Sequence, residues 1–440
     1  MTLSTHALAQ HRSQLMALMA PNSIAVIPAA SAKVRSRDTD YIFRQSSDFY
    51  YLSGFEEPEA LLVLVPGRPE GEFIIFCRER NKNMEIWEGI MAGPEGAKTH
   101  FGADQSFTIG EVDVELPKLI DGRDKMYFPI GEDANFDEQM TGWLNQVRAK
   151  VRAGAQPPVE FASIDALIHS LRLIKGEEEI ALMKASSLLA AQSHIRAMEY
   201  CKAGVFEYQL EAEILHNFAM NGARSAAYNT IVGGGHNACI LHYTENNQVL
   251  KEGDLVLIDA GCELDFYASD ITRTFPVNGT FSEPQKALYQ LTLDAQLAAL
   301  DVMKPGHRWN EPHEATVQVI TQGLVDLGLL HGDVQELINT GAYKRFYMHR
   351  AGHFLGIDVH DVGAYKVDGQ WRTLEEGMTM TIEPGIYVQP DDESVDAKWR
   401  GIGVRIEDDI LITATGNQVM TDAVPKTIEA IEALMAKKSR

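Results

Sequence analysis

The sequence predicts an α/β (α+β) fold with two domains, residues 1–171 and 172–440, and three observations support this. A chain of 440 residues is too long for one ordinary hydrophobic core. Its first part alternates strand-like and helix-like segments, as α/β domains do. Its second part runs helix, Lys-x-Gly, helix, strand pair, and then repeats that order. We therefore expect an N-terminal α/β domain and a C-terminal domain of two similar halves.

The N-terminal part contains four strand candidates, SIAVIPAA, ALLVLVPG, EFIIFCRER and KMYFPIG. The first twenty residues predict an amphipathic helix, because His11 and Arg12 interrupt the apolar run that a signal peptide needs. NFDEQMTGWLNQVRAKVRAG predicts the closing helix. Between the first two strands, VRSRDTDYIFRQSSDFYYLSGF is interpreted as a loop with local ion pairs and an aromatic stem in the core. The prolines of AGAQPPVEFAS mark a linker, so the boundary is placed near Leu171.

The first strand pair of the C-terminal part spans GDLVLIDAGCELDFYASDITRTF, and we expect a tight connection between its strands. Apolar residues on both faces of LVLI indicate a buried strand, so Asp259 enters an interior where an unpaired carboxylate is costly. Asp270 shares a face of the return strand with Thr272 and Thr274. Two buried acids that face each other need a proton or a cation between them, and a cation is the better interpretation.

The second strand pair, MTMTIEPGIYV and GIGVRIEDDILITAT, repeats this arrangement with Glu383 and Glu407. The segment FYMHRAGHFLGIDVHDVG lies between the two pairs and supplies imidazoles. Four carboxylates and one histidine form a hard, oxygen-rich ligand set, and their charge balances two divalent cations. The alternative is a structural one, in which Arg273 or Arg405 neutralises a buried acid. Histidines such as His242, taken singly, are more often hydrogen-bonded structural residues. The same applies to His349 and His360, and Tyr387 and Trp87 are core or rim aromatics in that alternative.

Composition excludes several functions. The formal net charge of −23 and the lack of a basic stripe argue against nucleic acid as a partner. No segment approaches the roughly 18 continuous apolar residues of a membrane span. Four scattered cysteines without CxxC spacing suit a reducing compartment, so a cytoplasmic protein is expected.

These motifs resemble the metallopeptidase family with the pita-bread fold, which includes aminopeptidase P, prolidase and methionine aminopeptidase. LVLIDAG, YASDITRTFPV, HDVG, TIEPGIY and GVRIEDD match family blocks in the same order. VRSRDTDYIFRQSSDFYYLSGF resembles the N-terminal domain of bacterial aminopeptidase P. One departure is HRAGHFLG, where Arg350 makes the segment more basic than in relatives. The resemblance implies the following metal ligands: Asp259, Asp270, His353, Glu383 and Glu407.

The resemblance also implies removal of an N-terminal residue from peptides with proline at position 2, by a hydroxide that bridges two divalent ions, usually Mn²⁺. Glu383 would be the general base, His242 and His360 would stabilise the oxyanion, and Arg405 would orient ligands and substrate. Further substrate contacts are expected from His349, Tyr387, Asp38 and Trp87, the last two from a neighbouring copy in a dimer or tetramer. Prolidase activity on dipeptides and a non-catalytic binding module on the same fold are the alternatives.

Overall fold

The computed structural model describes residues 2–437, and the chain divides into two compact units that meet in sequence at Arg172 and Leu173. The elements of the N-terminal unit are α1 (Thr5–Leu18), β1 (Ser23–Pro28), β2 (Val34–Ser36), β3 (Thr39–Asp40), α2 (Ser47–Ser53), β4 (Leu61–Leu64), β5 (Phe73–Cys77), α3 (Lys82–Glu88), α4 (Gly93–Thr99), β6 (Gln105–Thr108), α5 (Val112–Ile120), β7 (Lys125–Phe128), α6 (Ala134–Arg148), β8 (Glu160–Ser163) and α7 (Asp165–Arg172). Six of these strands form a mixed sheet in the order β6-β5-β4-β1-β7-β8.

The predicted strands of the N-terminal unit are confirmed, and so is the helix predicted from NFDEQMTGWLNQVRAKVRAG. This helix does not close the unit, because the stretch interpreted as a linker contains strand β8, which pairs with β7, and α7 follows it. Helix α6 begins where Asp133 accepts hydrogen bonds from the N–H groups of Asn135 and Phe136, as an N-cap does. The stretch interpreted as a loop is more ordered than expected, because it contains the hairpin β2–β3 and the helix α2. Its aromatic stem, Phe49–Tyr51, is buried as predicted, on α2.

The C-terminal unit contains the predicted repeat of helix, helix and strand pair. Its elements are α8 (Glu177–Tyr200), α9 (Glu207–Met220), β9 (Ser225–Ala226), β10 (Ile231–Gly234), β11 (Leu255–Asp259), β12 (Cys262–Leu264), β13 (Tyr267–Ala268), β14 (Thr272–Pro276), α10 (Glu283–Val302), α11 (Glu311–Asp326), α12 (Val334–Thr340), β15 (Lys366–Val367), β16 (Gln370–Trp371), β17 (Thr379–Ile382), β18 (Gly385–Tyr387), β19 (Gly403–Arg405), β20 (Asp408–Thr413), β21 (Gly416–Val419) and α13 (Ile428–Ala436).

The first strand pair differs from the prediction at its connection. β11 and β14 pair in antiparallel fashion next to β10, with Asp259 opposite Thr272. The connection is not tight, because β12 and β13 form a separate sheet with β9. Asp270 therefore lies two residues before β14 rather than inside it. This excursion returns the chain so closely that a Cβ on Gly261 would lie 1.7 Å from the Ser269 carbonyl oxygen.

The two long strands predicted for the second pair are each broken in the middle. β17 pairs with β20, whereas β18 pairs with β19, so the chain changes partner at Glu383 and Pro384 on one side and at Ile406 and Glu407 on the other. Both breaks fall at the carboxylates that the sequence singles out. A residue at such a break is released from the regular in–out alternation of a strand, so its side chain can be aimed into the unit.

A buried ion pair connects the two strand systems. The Arg273 guanidinium donates to Asp408 Oδ1 at 2.7 Å and to the carbonyl oxygen of Glu407 at 2.5 Å, and both charged side chains are fully buried. Lys426 also donates to Asp408, at 2.7 Å. Arg273 on β14 thereby fixes the backbone that carries Glu407.

Candidate metal centre

Four carboxylates converge on one cavity of about 590 Å³ in the C-terminal unit. Each stands at the end of a strand or at a break: Asp259 ends β11, Asp270 precedes β14, and Glu383 and Glu407 occupy the breaks of the second pair. Atoms of Asp270, His353 and Glu407 lie within 4.8 Å of one another, close enough to hold one metal ion together. The structure therefore brings together the acids that the sequence singles out.

His353 is oriented so that one ring nitrogen faces the acids. Its Nδ1 donates to the Phe354 carbonyl oxygen at 2.9 Å, while Nε2 lies 3.3 Å from Asp270 Oδ2 and 3.7 Å from Glu383 Oε1. A backbone bond at one nitrogen that leaves the other free is the usual arrangement of a ligating histidine. The backbone just before His353 packs closely on β17, because a Cβ on Gly352 would lie 2.1 Å from the Thr381 carbonyl oxygen.

The electrostatics of this cluster favour a cation. Burial raises the pKa of Asp270, with a further contribution from Asp259. Burial and the neighbouring acids raise the pKa of Glu383 to about 7 and that of Glu407 well above its usual value. Burial lowers the pKa of His353, but the hydrogen bond and charge of Asp270 outweigh it and raise this pKa to about 9. The raised carboxyl pKa values indicate more negative charge than His353 and Arg405 balance, and the donor set of oxygens and one imidazole fits divalent ions.

All three guanidinium nitrogens of Arg405 form hydrogen bonds to residues around the site. Its three guanidinium nitrogens donate to Thr272 Oγ1 at 3.1 Å, to the Tyr387 hydroxyl at 3.0 Å and to Asp259 Oδ2 at 2.7 Å. The alternative in which an arginine neutralises an acid therefore holds for Asp259 alone. In the described part of the chain, Asp270, Glu383 and Glu407 form no ion pair with an arginine or lysine.

Tyr228 was not foreseen from the sequence. Its hydroxyl lies 2.6 Å from Asp259 Oδ1 and 2.5 Å from Asp270 Oδ1. A phenol has one proton to donate, so only one of these contacts is an ordinary hydrogen bond while both acids are ionised. The stretch AAYNTIVGGG does not predict this role, because Tyr228 lies between strands, where no alternation indicates which way a side chain points.

Two threonines contact the acids, a role that the sequence did not assign to them. Thr272 Oγ1 donates to Glu407 Oε2 at 2.7 Å, and Thr381 Oγ1 lies 3.4 Å from Glu383 Oε1. Each stands two residues from an acid, Asp270 or Glu383, and therefore on the same face of an extended chain.

The remaining predicted residues fall into two groups. His242, His349 and His360 line the cavity, and the ring centroid of His360 lies 4.1 Å from that of His353. Burial, and then Arg405, lower the pKa of His349 to about 4, so its neutral Nε2 meets the Tyr387 hydroxyl at 2.9 Å. Asp38 and Trp87 belong to the N-terminal unit and are exposed, Trp87 by 84%.

Comparisons with known proteins show similarity over nearly the whole chain. Residues 181–414 match the metallopeptidase family M24, and residues 8–127 match the aminopeptidase P N-terminal domain. The Xaa-Pro aminopeptidase of Escherichia coli is 45% identical over 97% of this chain and 96% of that protein. Human Xaa-Pro aminopeptidase 3 is 35% identical over 92% of this chain and 79% of its own length.

Solved structures extend the likeness to the whole fold. The Pseudomonas aeruginosa aminopeptidase PepP is 56% identical, with a TM-score of 0.99 over 100% of this chain and 99% of that one. A zinc-substituted E. coli aminopeptidase P in complex with product gives 0.97 at 44% identity, over 100% of both chains. The chain belongs to the metallopeptidase family M24. It is a metalloaminopeptidase, and the expected pairing of an aminopeptidase P-type N-terminal domain with a pita-bread catalytic domain is confirmed.

Proposed function

We propose that this enzyme removes the first residue from peptides whose second residue is proline, in the manner of the Xaa-Pro aminopeptidases that it resembles. The convergence of four carboxylates and one imidazole on a single cavity carries the proposal. An Xaa-Pro bond has no N–H, so a protease that holds its substrate as a strand loses a donor there. A site that relies on metal ions does not need that donor.

The ligands in this proposal are Asp259, Asp270, His353, Glu383 and Glu407, and the ions are two Mn²⁺. The oxygen-rich donor set supports a hard cation of this kind. When bound, such ions neutralise the acids, polarise the scissile carbonyl and make water nucleophilic near pH 7.

The chain's own residues would supply proton transfer and charge stabilisation. Glu383 is assigned as general base, because it stands at the strand break beside His353 and faces the cavity. It would take a proton from water and pass it to the proline nitrogen as the bond breaks. His242 and His360, on the cavity wall, would stabilise the negative oxygen that forms on the carbonyl carbon.

Other residues would hold the substrate. His349 lines the cavity and would contact one side of the substrate. Tyr387 is fully buried and would hold His349 in place through their hydrogen bond, which Arg405 extends to Asp259. Asp38 and Trp87 would contact substrate from a second copy of the chain in a dimer or tetramer. The exposure of three apolar side chains on and after α3 supports such a contact: Ile86, Trp87 and Ile90.

A cytoplasmic location is part of the proposal. The four cysteines are buried thiols that form no disulfide with one another, as in a reducing compartment. No helix among residues 2–437 is long and apolar enough to cross a membrane. Cell fractionation would test the location, and recovery of the protein outside the cytoplasm would contradict it.

Peptides of increasing length test the activity. We expect purified protein with Mn²⁺ to release alanine from Ala-Pro-Ala and from longer Ala-Pro peptides, but not from Ala-Ala-Ala, as followed by mass spectrometry. Cleavage of the dipeptide Ala-Pro alone would instead establish a prolidase. Equal cleavage of the proline-free control would refute selection for proline.

A further inference from the structure

Two guanidinium groups line the active cavity, and only one of them is committed to the protein. Arg405 uses all three of its nitrogens on site residues. Arg350 is exposed, lines the same cavity and directly follows His349 in sequence. Among residues 2–437 no carboxylate forms an ion pair with Arg350, and its guanidinium stacks on the Trp371 ring at 4.9 Å. The cavity therefore contains an arginine with its donors available.

Two further cationic side chains lie close to Trp371, beside Arg350. The Lys366 ammonium lies 4.5 Å from the same ring, on the neighbouring strand β15. The Arg308 guanidinium donates to the Trp371 carbonyl oxygen at 3.3 Å. Two cations over one indole, with a third at the backbone of the same residue, stand out in a protein of net charge −23. Stacking on Trp371 also limits the freedom of the Arg350 side chain, which reduces the entropy lost when it binds an anion.

We propose that Arg350 selects peptides that carry a carboxylate beyond the proline, either an acidic third residue or the C-terminus of a tripeptide. This inference rests on the proposed Xaa-Pro activity. The acids at the cavity floor fit the cationic amine end of a substrate, so an anionic group is best placed toward the exposed rim where Arg350 lies. A guanidinium matches a carboxylate with two parallel hydrogen bonds. A local positive rim also offsets the repulsion that the acidic protein exerts on an acidic peptide.

Two matched peptide pairs test the proposal and separate the two carboxylate sources. Ala-Pro-Glu-amide against Ala-Pro-Gln-amide isolates the side-chain carboxylate, and Ala-Pro-Ala against its amide isolates the C-terminal one. In at least one pair we expect wild-type kcat/KM to favour the charged peptide by about two- to fivefold at low salt, with a smaller preference at high salt. In Arg350→Gln that ratio should fall to about one, and Arg350→Lys should retain part of it.

Taking the ratio within each variant cancels any general loss of activity. Lys344→Gln is the control, because it removes the same charge from an exposed position of the same segment that does not line the cavity. It should keep the wild-type ratio. Equal cleavage within both pairs by the wild type, or an unchanged ratio in Arg350→Gln, would overturn the proposal. Failure to cleave any of the peptides would overturn the proposed function as well.

Discussion

Tyr228 contacts two of the proposed metal ligands, although the sequence did not predict this role. Its hydroxyl stands between oxygens of Asp259 and Asp270, so it fixes the separation of two proposed ligands. Groups that orient ligands in this way commonly change metal affinity by about 10- to 100-fold when removed. No periodic pattern identifies such a residue, because its position depends on how a loop meets two strands.

Tyr228→Phe should therefore bind Mn²⁺ about tenfold more weakly or worse, while its secondary structure remains. Calorimetric titration of the metal-depleted protein would measure this. Tyr289→Phe is the matched control, because it removes a buried hydroxyl that donates to the Lys426 carbonyl oxygen instead. Equal metal affinity in the two variants would show that Tyr228 does not position ligands.

Glu383 and His242 should give different defects. Glu383→Ala removes a proposed ligand and the proton carrier, so turnover should be abolished, and metal content should fall as well. His242→Ala should lower kcat by about 10²-fold or more while metal content stays at the wild-type value. Elemental analysis beside steady-state kinetics distinguishes the two. Loss of metal in His242→Ala would contradict its assigned role.

At the level of elements, the sequence identified the strands and their acids but not how the strands are divided. The sequence singled out Glu383 on MTMTIEPGIYV, and this residue lines the cavity. Alternation along this stretch gave no sign that pairing changes partner at Pro384, because the partner is decided by residues far away in sequence. The excursion between β11 and β14 was missed for the same reason, since its strand β12 pairs with the distant β9. The local sequence pattern predicts which face of a strand a side chain occupies, whereas contacts between distant residues decide which strand pairs with which.

The buried ion pair between β14 and the start of β20 should matter for stability. Arg273→Met leaves Asp408 with less compensation in the interior, so the free energy of unfolding should fall by about 3 kcal/mol or more. Urea denaturation would measure it. Arg345→Met is the control, because Arg345 pairs with Asp392 at the surface and should cost less than about 1 kcal/mol. Similar losses in both variants would contradict the importance assigned to burial.

The N-terminal unit contains a second charge cluster that predicts a pH dependence. Burial alone would raise the pKa of Asp48, but His169 and Arg172 outweigh it and lower that pKa. Burial alone would lower the pKa of His169, but the hydrogen bond and charge of Asp48 raise it. Because the pKa of Asp48 is lowered in the folded state, its ionised form stabilises the fold above pH 3.8, and this contribution is lost as the pH falls. Because the pKa of His169 is raised, its protonated form stabilises the fold below pH 6.5, and this contribution is lost as the pH rises.

The contribution of this cluster should therefore be greatest between about pH 4 and 6.5 and decline on either side. Thermal unfolding followed across this range would detect it. His169→Gln should flatten the alkaline side of the profile, whereas His100→Gln, at an exposed position after α4, should leave it unchanged. An unaltered profile in His169→Gln would exclude the histidine as the cause.

For the molecule as a whole, removal of metal should lower stability. The acids of the cavity repel one another without cations, and ligands that bind only the folded state stabilise it by mass action, by about 2.7 kcal/mol at 100 times Kd. Dialysis against a chelator should lower the melting temperature, and Mn²⁺ should restore it, while Na⁺ at the same ionic strength should not. A melting temperature that does not change on removal or addition of metal would argue against the proposed metal centre.

The proposed ligands are contributed by stretches far apart in the chain, from Asp259 in the first half of the C-terminal unit to Glu407 in the second. In a polypeptide that is still being synthesised, the proposed ligand set is incomplete until Glu407 has left the ribosome and Arg273 has formed its hydrogen bond to the Glu407 carbonyl oxygen. We therefore expect a nascent chain to lack the proposed peptidase activity until the C-terminal unit has been completely synthesised and folded.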